Sequence, residues 1–378
     1  MTSTPPELIA ALARIRPDVQ GMHAYAVPDS TGLLKMDAME NPYRLPPALR
    51  QTLGERLGQV AINRYPGGRA DDLRAALARH AGLPAGWALM LGNGSDELIG
   101  LLALACDVPG ASILAPAPSF VMYQLSAQLQ GLGFHAVPLA ADFALDEAAM
   151  LAAIERHGPA LVYLAHPNNP TGTLWDAATI ARIAAAQAAR GALLVLDEAY
   201  QPFATRTWLD VARADAAAHS HVLVMRTLSK FGLAGVRVGY LMGDARLIAQ
   251  IDKVRPPYNL SALNIECALF ALEHADEFAA QAAAIRAQRA ALLDALAAMP
   301  GVRPYPSEGN MVLARVADSG DAQADAHAAQ RVFEGMRARK VLVKNVSTMH
   351  PMLAGCLRLT VGSAPENAQM LAALQDSL

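Results

Sequence analysis

Short apolar runs recur along this chain and alternate with segments that have a helical pattern or a turn-like sequence. These runs are residues 112–115, 160–165, 192–196, 222–225 and 236–242. Strands that alternate with helices favour a mostly parallel sheet with helices on both of its faces. Such strands are buried on both sides, which explains why the runs are continuously apolar. We therefore predict an α/β fold with a mostly parallel central sheet flanked by helices.

The last hundred residues are organised differently. Residues 281–299 have the pattern of one long helix, which Pro300 and Gly301 end. Strand-like runs follow near 311–316, 341–346 and 357–361, and a further helix is predicted from Pro365. A chain of 378 residues also exceeds what one core usually covers. We predict a large domain at 45–280 and a smaller α/β domain formed by residues 1–44 and 281–378.

Composition argues against several classes of partner. The net charge is -3 and the pI is about 6.4, so charge gives no reason to expect nucleic acid or an anionic membrane. Cys106, Cys267 and Cys356 are too widely spaced to indicate a metal motif or a disulfide framework. The N-terminal sequence lacks a secretory signal pattern, and the longest apolar run, 98–106, is far short of a membrane span. A soluble cytoplasmic protein without a metal site is predicted.

Polar motifs follow five apolar runs directly. In a parallel α/β sheet, ligands bind outside the carboxyl ends of the strands. We therefore expect these motifs to meet at one edge of the sheet and to form one site. The motifs are GNGSDE at 92–97, PAPSF at 116–120, HPNNPTG at 166–172, DEAY at 197–200 and RTLSK at 226–230.

Taken singly, each motif also has an ordinary structural interpretation. Gly94, Ser95 and Asp96 fit a helix N-cap, although free amides at a helix start also suit a phosphate. Asp197 closes an apolar run, so its carboxylate is expected to be partly desolvated and to need a cationic partner. The string PNNPTG fits a turn, and His166 fits strand-end structure. These glycines form neither GxGxxG nor a P-loop, so a nucleotide is not indicated.

The combination is far more specific than its parts. PNNPTG, DEAY, TLSK and the arginine of GVRVG occur in this order, and the chain resembles the fold-type-I aminotransferases that depend on pyridoxal 5'-phosphate (PLP). The resemblance spans nearly the whole chain and looks closest to the histidinol-phosphate aminotransferases. Further matching strings are MENPY at 39–43, RYPGG at 64–68, GNGSDE at 92–97 and CLRLTVG at 356–362.

This resemblance implies roles for the residues around the cofactor. Lys230 is implied to form the Schiff base with PLP, and Asp197 to pair with the pyridinium nitrogen. Asn169 and Tyr200 are implied to bind the 3'-oxygen of the ring, and Phe120 to stack on it. The residues implied to hold the cofactor phosphate are Gly94, Ser95, Ser229 and Arg237. Asp96 is a further implied cofactor-binding residue.

Two further features bear on the cofactor. The spacing between Lys230 and Arg237 is one residue shorter than in many members of the superfamily. Tyr65 matches a tyrosine that reaches the cofactor phosphate of the neighbouring subunit. The resemblance therefore implies a homodimer with its active sites at the interface.

The substrate side is implied by the same resemblance. The reaction exchanges an amino group between a phosphorylated amine, L-histidinol phosphate, and 2-oxoglutarate, with glutamate as the other amino acid. Arg358 is the implied anion anchor, because a guanidinium binds both carboxylate and phosphate. Further implied substrate contacts are Tyr25, Asn41, Tyr258 and Lys344.

Other functions remain open at this point. One is an aminotransferase of the same architecture that takes aromatic or other amino acids. A second is a lyase similar to threonine-phosphate decarboxylase, which also binds a phosphate ester. A third is a PLP-binding regulator without turnover.

Overall fold

The computed structural model describes residues 5–24 and 28–378. The predicted substrate contact Tyr25 lies outside these residues. The chain divides into two compact units, 1–32 and 33–378. The first unit contains helices α1 (Pro6–Leu12) and α2 (Pro17–Gln20). Within it, the Gln20 side chain donates hydrogen bonds to the carbonyl oxygens of Leu12 and Ile15, at 2.9 and 2.7 Å.

The second unit contains the strands. In chain order they are β1 (Leu34–Lys35), β2 (Trp87–Gly92), β3 (Ser112–Ala117), β4 (Gly133–Pro138), β5 (Leu161–Ala165), β6 (Leu193–Asp197), β7 (Val222–Thr227), β8 (Gly239–Asp244), β9 (Arg303–Pro304), β10 (Met311–Arg315), β11 (Val341–Leu342), β12 (Lys344–Asn345) and β13 (Cys356–Thr360).

The second unit also contains the remaining helices. They are α3 (Pro47–Gly58), α4 (Arg69–Ala81), α5 (Ser95–Ala105), α6 (Met122–Gln130), α7 (Glu147–His157), α8 (Ala177–Ala189), α9 (Trp208–Ala214), α10 (Ala245–Ile251), α11 (Ala262–Glu273), α12 (Ala275–Ala297), α13 (Ala322–Ala338) and α14 (Ala364–Gln375). In the described part of the chain, no helix is both long and apolar enough to cross a membrane.

The central sheet has seven strands in the order β2-β8-β7-β6-β5-β3-β4. Only β8 runs antiparallel to its neighbours, which are β2 and β7. Side chains of β5 alternate between two apolar clusters, with Val162 and Leu164 on one face and Leu161, Tyr163 and Ala165 on the other. Burial on both faces is the reason for the apolar runs, and the predicted mostly parallel sheet is confirmed.

Strand β4 was not among the predicted strands. It lies at the edge of the sheet, where its sequence, GFHAVP, is largely exposed or half-buried. An edge strand does not need a continuous apolar run, because its outer edge has no neighbouring strand and is open to solvent. The pattern that revealed the inner strands was therefore absent here.

The C-terminal region forms a second sheet, with the strand order β12-β13-β10-β9. The predicted run 341–346 divides into β11 and β12, which join different sheets, because β11 pairs in parallel with β1. This pairing brings Leu34 opposite Val341 and joins residues near the start of the second unit to the C-terminal region. The division into domains at 45–280 and at 1–44 with 281–378 stays a prediction.

Candidate active site

Five parallel strands of the central sheet, β2, β3, β5, β6 and β7, direct their carboxyl ends to the same edge. A cavity lies there, and the predicted motifs meet in it. The residues that line it are Met39, Ser95, Asp96, Phe120, Ala165, Pro167, Asn169, Asp197, Ala199, Tyr200, Thr227, Ser229, Lys230 and Arg237. As the strand-end argument predicted, most of these residues lie in one cavity, while their roles toward a cofactor stay predictions.

Lys230 lies on a short helical turn that follows β7. Its Nζ donates a hydrogen bond of 2.9 Å to the carbonyl oxygen of Ala38 and lies 5.8 Å from the centre of the Tyr200 ring. Burial, reinforced by the positive charge of Arg358, lowers the pKa of Lys230 to about 7. The amine is therefore largely neutral in mildly alkaline solution, as a nucleophile or a general base requires.

This lowered pKa predicts how Lys230 reacts in the cofactor-free protein. We expect acetylation of Lys230 by trace acetic anhydride to rise about tenfold per pH unit below pH 7 and to level off above it, because only the neutral amine reacts. An ordinary exposed lysine keeps gaining reactivity up to a pH of about 10. Peptide mass spectrometry between pH 5.5 and 10 measures both. If the acetylation rate of Lys230 kept rising up to pH 10, the lowered pKa would be contradicted.

Asp197 ends β6 and is only 3% exposed. Its Oδ2 accepts a hydrogen bond of 2.8 Å from the Tyr123 hydroxyl, and its Oδ1 accepts one of 3.1 Å from the backbone amide of Ala199. Burial raises the pKa of Asp197 to about 6, and the bond from Tyr123 opposes this rise. The sequence predicted that the Asp197 carboxylate is desolvated and has a cationic partner. The carboxylate is indeed buried, but the two groups that bind it are neutral hydrogen-bond donors.

The neighbouring carboxylate does have a cationic partner. Glu198 and Arg226 form a buried ion pair, with Nη2 of Arg226 at 2.8 Å from Oε2 of Glu198. Thr207 donates to both Glu198 oxygens, at 2.9 and 2.7 Å. Sequence reasoning missed this pair, although both residues stand in the motifs at the ends of β6 and β7. Of the two carboxylates in the DEAY motif, Asp197 is therefore the one that lines the cavity.

The residues predicted to form a phosphate cradle lie together at the start of α5. Gly94 has φ of 79°, and a Cβ at this position would lie 2.5 Å from Nη2 of Arg237. Only glycine fits both the backbone conformation and this close approach. Nη1 of Arg237 donates to the Ser229 hydroxyl at 3.1 Å, and its guanidinium lies 3.5 Å from Asp96. The shorter spacing between Lys230 and Arg237 therefore still lets the guanidinium reach the cradle.

Arg358 and Asn169 are hydrogen-bonded to each other beside the cavity. Nη1 of Arg358 donates to Oδ1 of Asn169 at 2.7 Å, and Nη2 donates to the carbonyl oxygen of Asp37 at 2.7 Å. Both side chains are buried. The implied anion anchor is thus joined directly to a residue that lines the cavity. Burial also raises the pKa of Tyr200 above its usual value, so its phenol remains protonated.

The segment 37–39 connects distant parts of the chain at this site. The carbonyl oxygens of Asp37 and Ala38 accept hydrogen bonds from Arg358 and Lys230, as described above. The amide of Met39 donates to the Thr360 hydroxyl at 3.1 Å, and its carbonyl accepts from Asn310 at 2.9 Å. Met39 itself has φ of 51°, a conformation that is uncommon for a residue other than glycine.

Besides Gly94 and Arg358, four predicted residues are not among the described residues that line the cavity. Lys344 lies opposite Arg358 in the β12–β13 register. Asn41 donates to the side chain of Gln281 at 2.9 Å and accepts from the backbone amide of Tyr43 at 2.9 Å. Tyr65 and Tyr258 stack on each other, with ring centres 4.3 Å apart, and are 75% and 56% exposed. The substrate or cofactor roles of these four residues stay predictions.

His166 has the environment of a structural residue. It is buried, and its backbone amide donates to the carbonyl oxygen of Asp197 at 2.7 Å. Burial lowers the pKa of the imidazole to about 4, which keeps the ring neutral near pH 7. The neighbouring Pro167, rather than His166, lines the cavity.

Comparison with known proteins identifies the family of the chain. The model of the family described as aminotransferase class I and II matches residues 31–375. The chain belongs to this family. It is 65% identical to a histidinol-phosphate aminotransferase of Acidovorax sp. over 377 residues, which cover 100% of both chains. It is also 65% identical to a histidinol-phosphate aminotransferase of Methylibium petroleiphilum, over 99% of this chain and 97% of the relative.

A solved structure supports the same assignment. Histidinol-phosphate aminotransferase from Sinorhizobium meliloti in complex with pyridoxal-5'-phosphate is 26% identical to this chain, with a TM-score of 0.83 and 98% of each chain covered. The predicted fold and the predicted aminotransferase class are therefore confirmed.

Sequence reasoning assigned no role to several described residues at or beside the site. Met39 and Thr227 line the cavity, and Tyr123 binds Asp197 from behind it. Met39 begins the quoted string MENPY, and Tyr123 stands three residues after Phe120, so both lay beside motifs already identified. No group of three or more metal-ligating side chains is found within 5–24 and 28–378.

Proposed function

We propose that this chain is a PLP-dependent aminotransferase that interconverts L-histidinol phosphate and 2-oxoglutarate with imidazole-acetol phosphate and L-glutamate in histidine biosynthesis. The reaction class rests on one observation above the others: Lys230 and the buried Asp197 face the same cavity at the ends of adjacent strands. The choice of substrate is supported by the 65% identity to the Acidovorax relative over the full length of both chains.

The cavity has the chemistry that PLP requires. Its cradle offers the guanidinium of Arg237 and the hydroxyl of Ser229 to a phosphate, and Asp197 offers a buried carboxylate to a ring N–H. Phe120 supplies an aromatic surface, and Lys230 supplies the amine. When bound, PLP would act as an electron sink that stabilises negative charge at the substrate α-carbon.

The side chains of this protein have separate tasks in the proposed reaction. Lys230 Nζ, neutral above a pH of about 7, would take the proton from the substrate α-carbon and pass it to the bound cofactor. In the second half-reaction it would carry a proton in the reverse direction. Arg358 holds the anionic group of whichever substrate is present. Asp197 is buried and Lys230 is half-buried, and this partial exclusion of water strengthens their interactions with bound charges.

A comparison of substrates tests the proposal. Purified protein saturated with PLP is given L-histidinol phosphate and 2-oxoglutarate, and glutamate formation is measured. We expect kcat/KM to exceed the value for phenylalanine as amino donor. A higher kcat/KM for phenylalanine would move the assignment to an aromatic aminotransferase. Carbon dioxide release from threonine phosphate without a 2-oxo acid would favour the lyase, and PLP binding without turnover would favour a regulator.

Replacement of Arg358 by alanine should weaken both half-reactions. We expect KM to rise about 30-fold or more for L-histidinol phosphate and for glutamate, because truncating a desolvated charged contact costs ~2 to 5 kcal/mol. Steady-state kinetics with each substrate varied in turn measures this. Lys344→Ala is the matched comparison, since Lys344 lies opposite Arg358 on the neighbouring strand. If Arg358→Ala affects only glutamate and Lys344→Ala affects only the ester, Lys344 anchors the ester phosphate.

We also propose a homodimer in which Tyr65 completes the site of the neighbouring subunit. Tyr65 is largely exposed, and the described residues that line the cavity of its own subunit do not include it. Its stacked partner Tyr258 is exposed as well. A role for Tyr65 at a cofactor phosphate therefore needs a second copy of the chain.

Mixed dimers test this arrangement. Tyr65→Ala should weaken PLP binding ~10-fold to 100-fold by removing a hydrogen bond to a charged group. When Tyr65→Ala and Lys230→Ala subunits are mixed and allowed to exchange, each mixed dimer should regain one complete site. Activity at limiting PLP should then reach roughly a quarter of that of the unsubstituted enzyme, as expected for random pairing. If activity does not increase on mixing, the shared site is excluded.

We propose that the enzyme acts in the cytoplasm. Its three cysteines, Cys106, Cys267 and Cys356, are all free thiols. Free thiols are what a reducing compartment maintains.

A further inference from the structure

Tyr123 is a fully buried residue of α6 that lies behind the wall of the cavity. Its hydroxyl donates a hydrogen bond of 2.8 Å to Oδ2 of Asp197. Tyr123 is absent from the described residues that line the cavity, but it contacts two that do, Asp197 and Phe120. Any effect of Tyr123 on the reaction must therefore pass through these two residues.

Two aromatic neighbours fix the position of the Tyr123 ring. Tyr163 of β5 stacks against it, with ring centres 4.5 Å apart and planes 13° from parallel. Phe120 packs against it with ring centres 5.7 Å apart and planes 84° apart, an edge-to-face contact. Contacts of this kind restrict the ring to one orientation. The hydroxyl is thus held at Asp197 while the ring supports Phe120.

We propose that Tyr123 is a positioning residue that keeps Asp197 ionised and correctly oriented for a ring N–H, and that holds Phe120 in place for stacking. The inference rests on the proposed function, because it assumes that Asp197 and Phe120 act on PLP. The single phenol thereby supports both the charge partner and the stacking surface of the cofactor.

The charges around Asp197 show why a donor is needed. Burial favours the protonated acid, and the carboxylates of Asp96 and Glu198 raise its pKa further. The Tyr123 hydroxyl and the amide of Ala199 are the groups that oppose this rise. The pKa of Tyr123 itself lies well above the usual value because of burial and of the nearby Asp197. The phenol therefore keeps its proton and remains a donor.

Tyr163 provides a matched control within the same stack. It is fully buried like Tyr123, and in the described part of the chain its hydroxyl has no hydrogen-bond partner. Tyr163→Phe and Tyr123→Phe remove the same atom from adjacent stacked rings. Only the second substitution removes a bond to Asp197.

The first measurement needs no cofactor. The carboxyl carbon of Asp197 in the cofactor-free protein is followed by 13C NMR with labelled aspartate, and its signal is assigned by its loss in D197N. We expect Tyr123→Phe to raise the pH midpoint of Asp197 by about one to two pH units, as loss of a hydrogen bond to a charged group implies. Tyr163→Phe should leave the midpoint unchanged. An unchanged midpoint in Tyr123→Phe, or an equal shift in both variants, would overturn the inference.

The second measurement uses PLP labelled with 15N in its ring. In Tyr123→Phe we expect the 15N shift to move toward that of an unprotonated ring nitrogen, and PLP to bind ~10-fold to 100-fold more weakly. If the unsubstituted protein binds no PLP, the proposed function fails, whereas the 13C titration still tests Tyr123. If it binds PLP and Tyr123→Phe gives the same 15N shift and affinity, the role of Tyr123 toward the cofactor is wrong.

A third variant keeps the test independent of any loss of folding in Tyr123→Phe. Incorporation of 3,5-difluorotyrosine at position 123 retains the ring and makes the phenol a stronger donor. We expect it to lower the midpoint of Asp197, which is the opposite direction to Tyr123→Phe. A merely structural role would not produce shifts of opposite sign, so a midpoint that does not fall would count against the proposal.

Discussion

Lys230→Ala is expected to lower kcat for L-histidinol phosphate and 2-oxoglutarate by at least ~10⁴-fold. Lys230 supplies the amine in the cavity, and its pKa of about 7 suits it to take and return a proton near neutral pH. A positioned general base alone contributes ~10² to 10⁴-fold, and loss of the nucleophilic amine adds to this. Glutamate formation under saturating substrates and PLP is the measurement.

The control for this substitution is Lys253→Ala. Lys253 is exposed, and its Nζ donates to the side chain of Gln250. The Lys253→Ala variant should keep kcat within twofold of the unsubstituted enzyme, because Lys253 is not among the residues that line the site. Borohydride reduction followed by peptide mapping should also find the pyridoxyl group on Lys230 in the unsubstituted protein. Near-normal turnover by Lys230→Ala, or a pyridoxyl group on another lysine, would remove the basis of the proposed function.

Asp197→Asn is expected to reduce kcat by about 10³-fold. The amide has nearly the same volume and can still accept from Tyr123, but it carries no charge to pair with a ring N–H. Electrostatic partners of developing charge in buried sites are worth ~10² to 10³-fold or more. Turnover and PLP affinity of Asp197→Asn are measured beside those of Asp197→Ala. If Asp197→Asn retained high activity while Asp197→Ala did not, turnover would depend on the volume of the side chain at position 197 rather than on its charge.

The same substitution should have the opposite effect on stability. The pKa of Asp197 is raised from an unfolded value near 4 to about 6, so the folded protein binds the proton more tightly between these values. Stability therefore falls as pH rises from 4 to 6, and the full penalty, on the order of 2 to 3 kcal/mol, applies above pH 6. In the cofactor-free protein at pH 8, Asp197→Asn should raise the free energy of unfolding in urea. A decrease would show that the carboxylate is stabilising in the absence of cofactor.

The inner sheet could be predicted because burial on both faces leaves a clear record in sequence. Strands such as β5 must be apolar throughout, since both faces pack against helices. Edge strand β4 lacks this constraint and was missed. Helix α13 was missed although its buried positions, Asp325, Ala329, Val332 and Met336, recur at helical spacing, so its sequence did carry a detectable pattern. Two-residue strands such as β9 have no pattern to detect.

The site was predictable where topology alone places a residue. Lys230, Asp197 and Asn169 follow parallel strands, so one rule places them at one edge. Tyr123 could not be placed in this way, because its bond to Asp197 depends on how α6 is rotated against the sheet. Its partner is 74 residues away in sequence. Met39 also depends on long-range contacts, with Thr360 and Asn310.

The connections made by segment 37–39 have a consequence for the order in which the protein matures. Its carbonyl groups bind Lys230 and Arg358, which lie 192 and 321 residues away in the sequence. During synthesis on the ribosome, the central sheet can assemble as soon as β8 has emerged, but Arg358 and Thr360 arrive only with β13. Domains generally fold as they are made, from the N-terminal side. A nascent chain halted before β13 would therefore hold a complete central sheet but a pocket that lacks Arg358 and its contacts to segment 37–39.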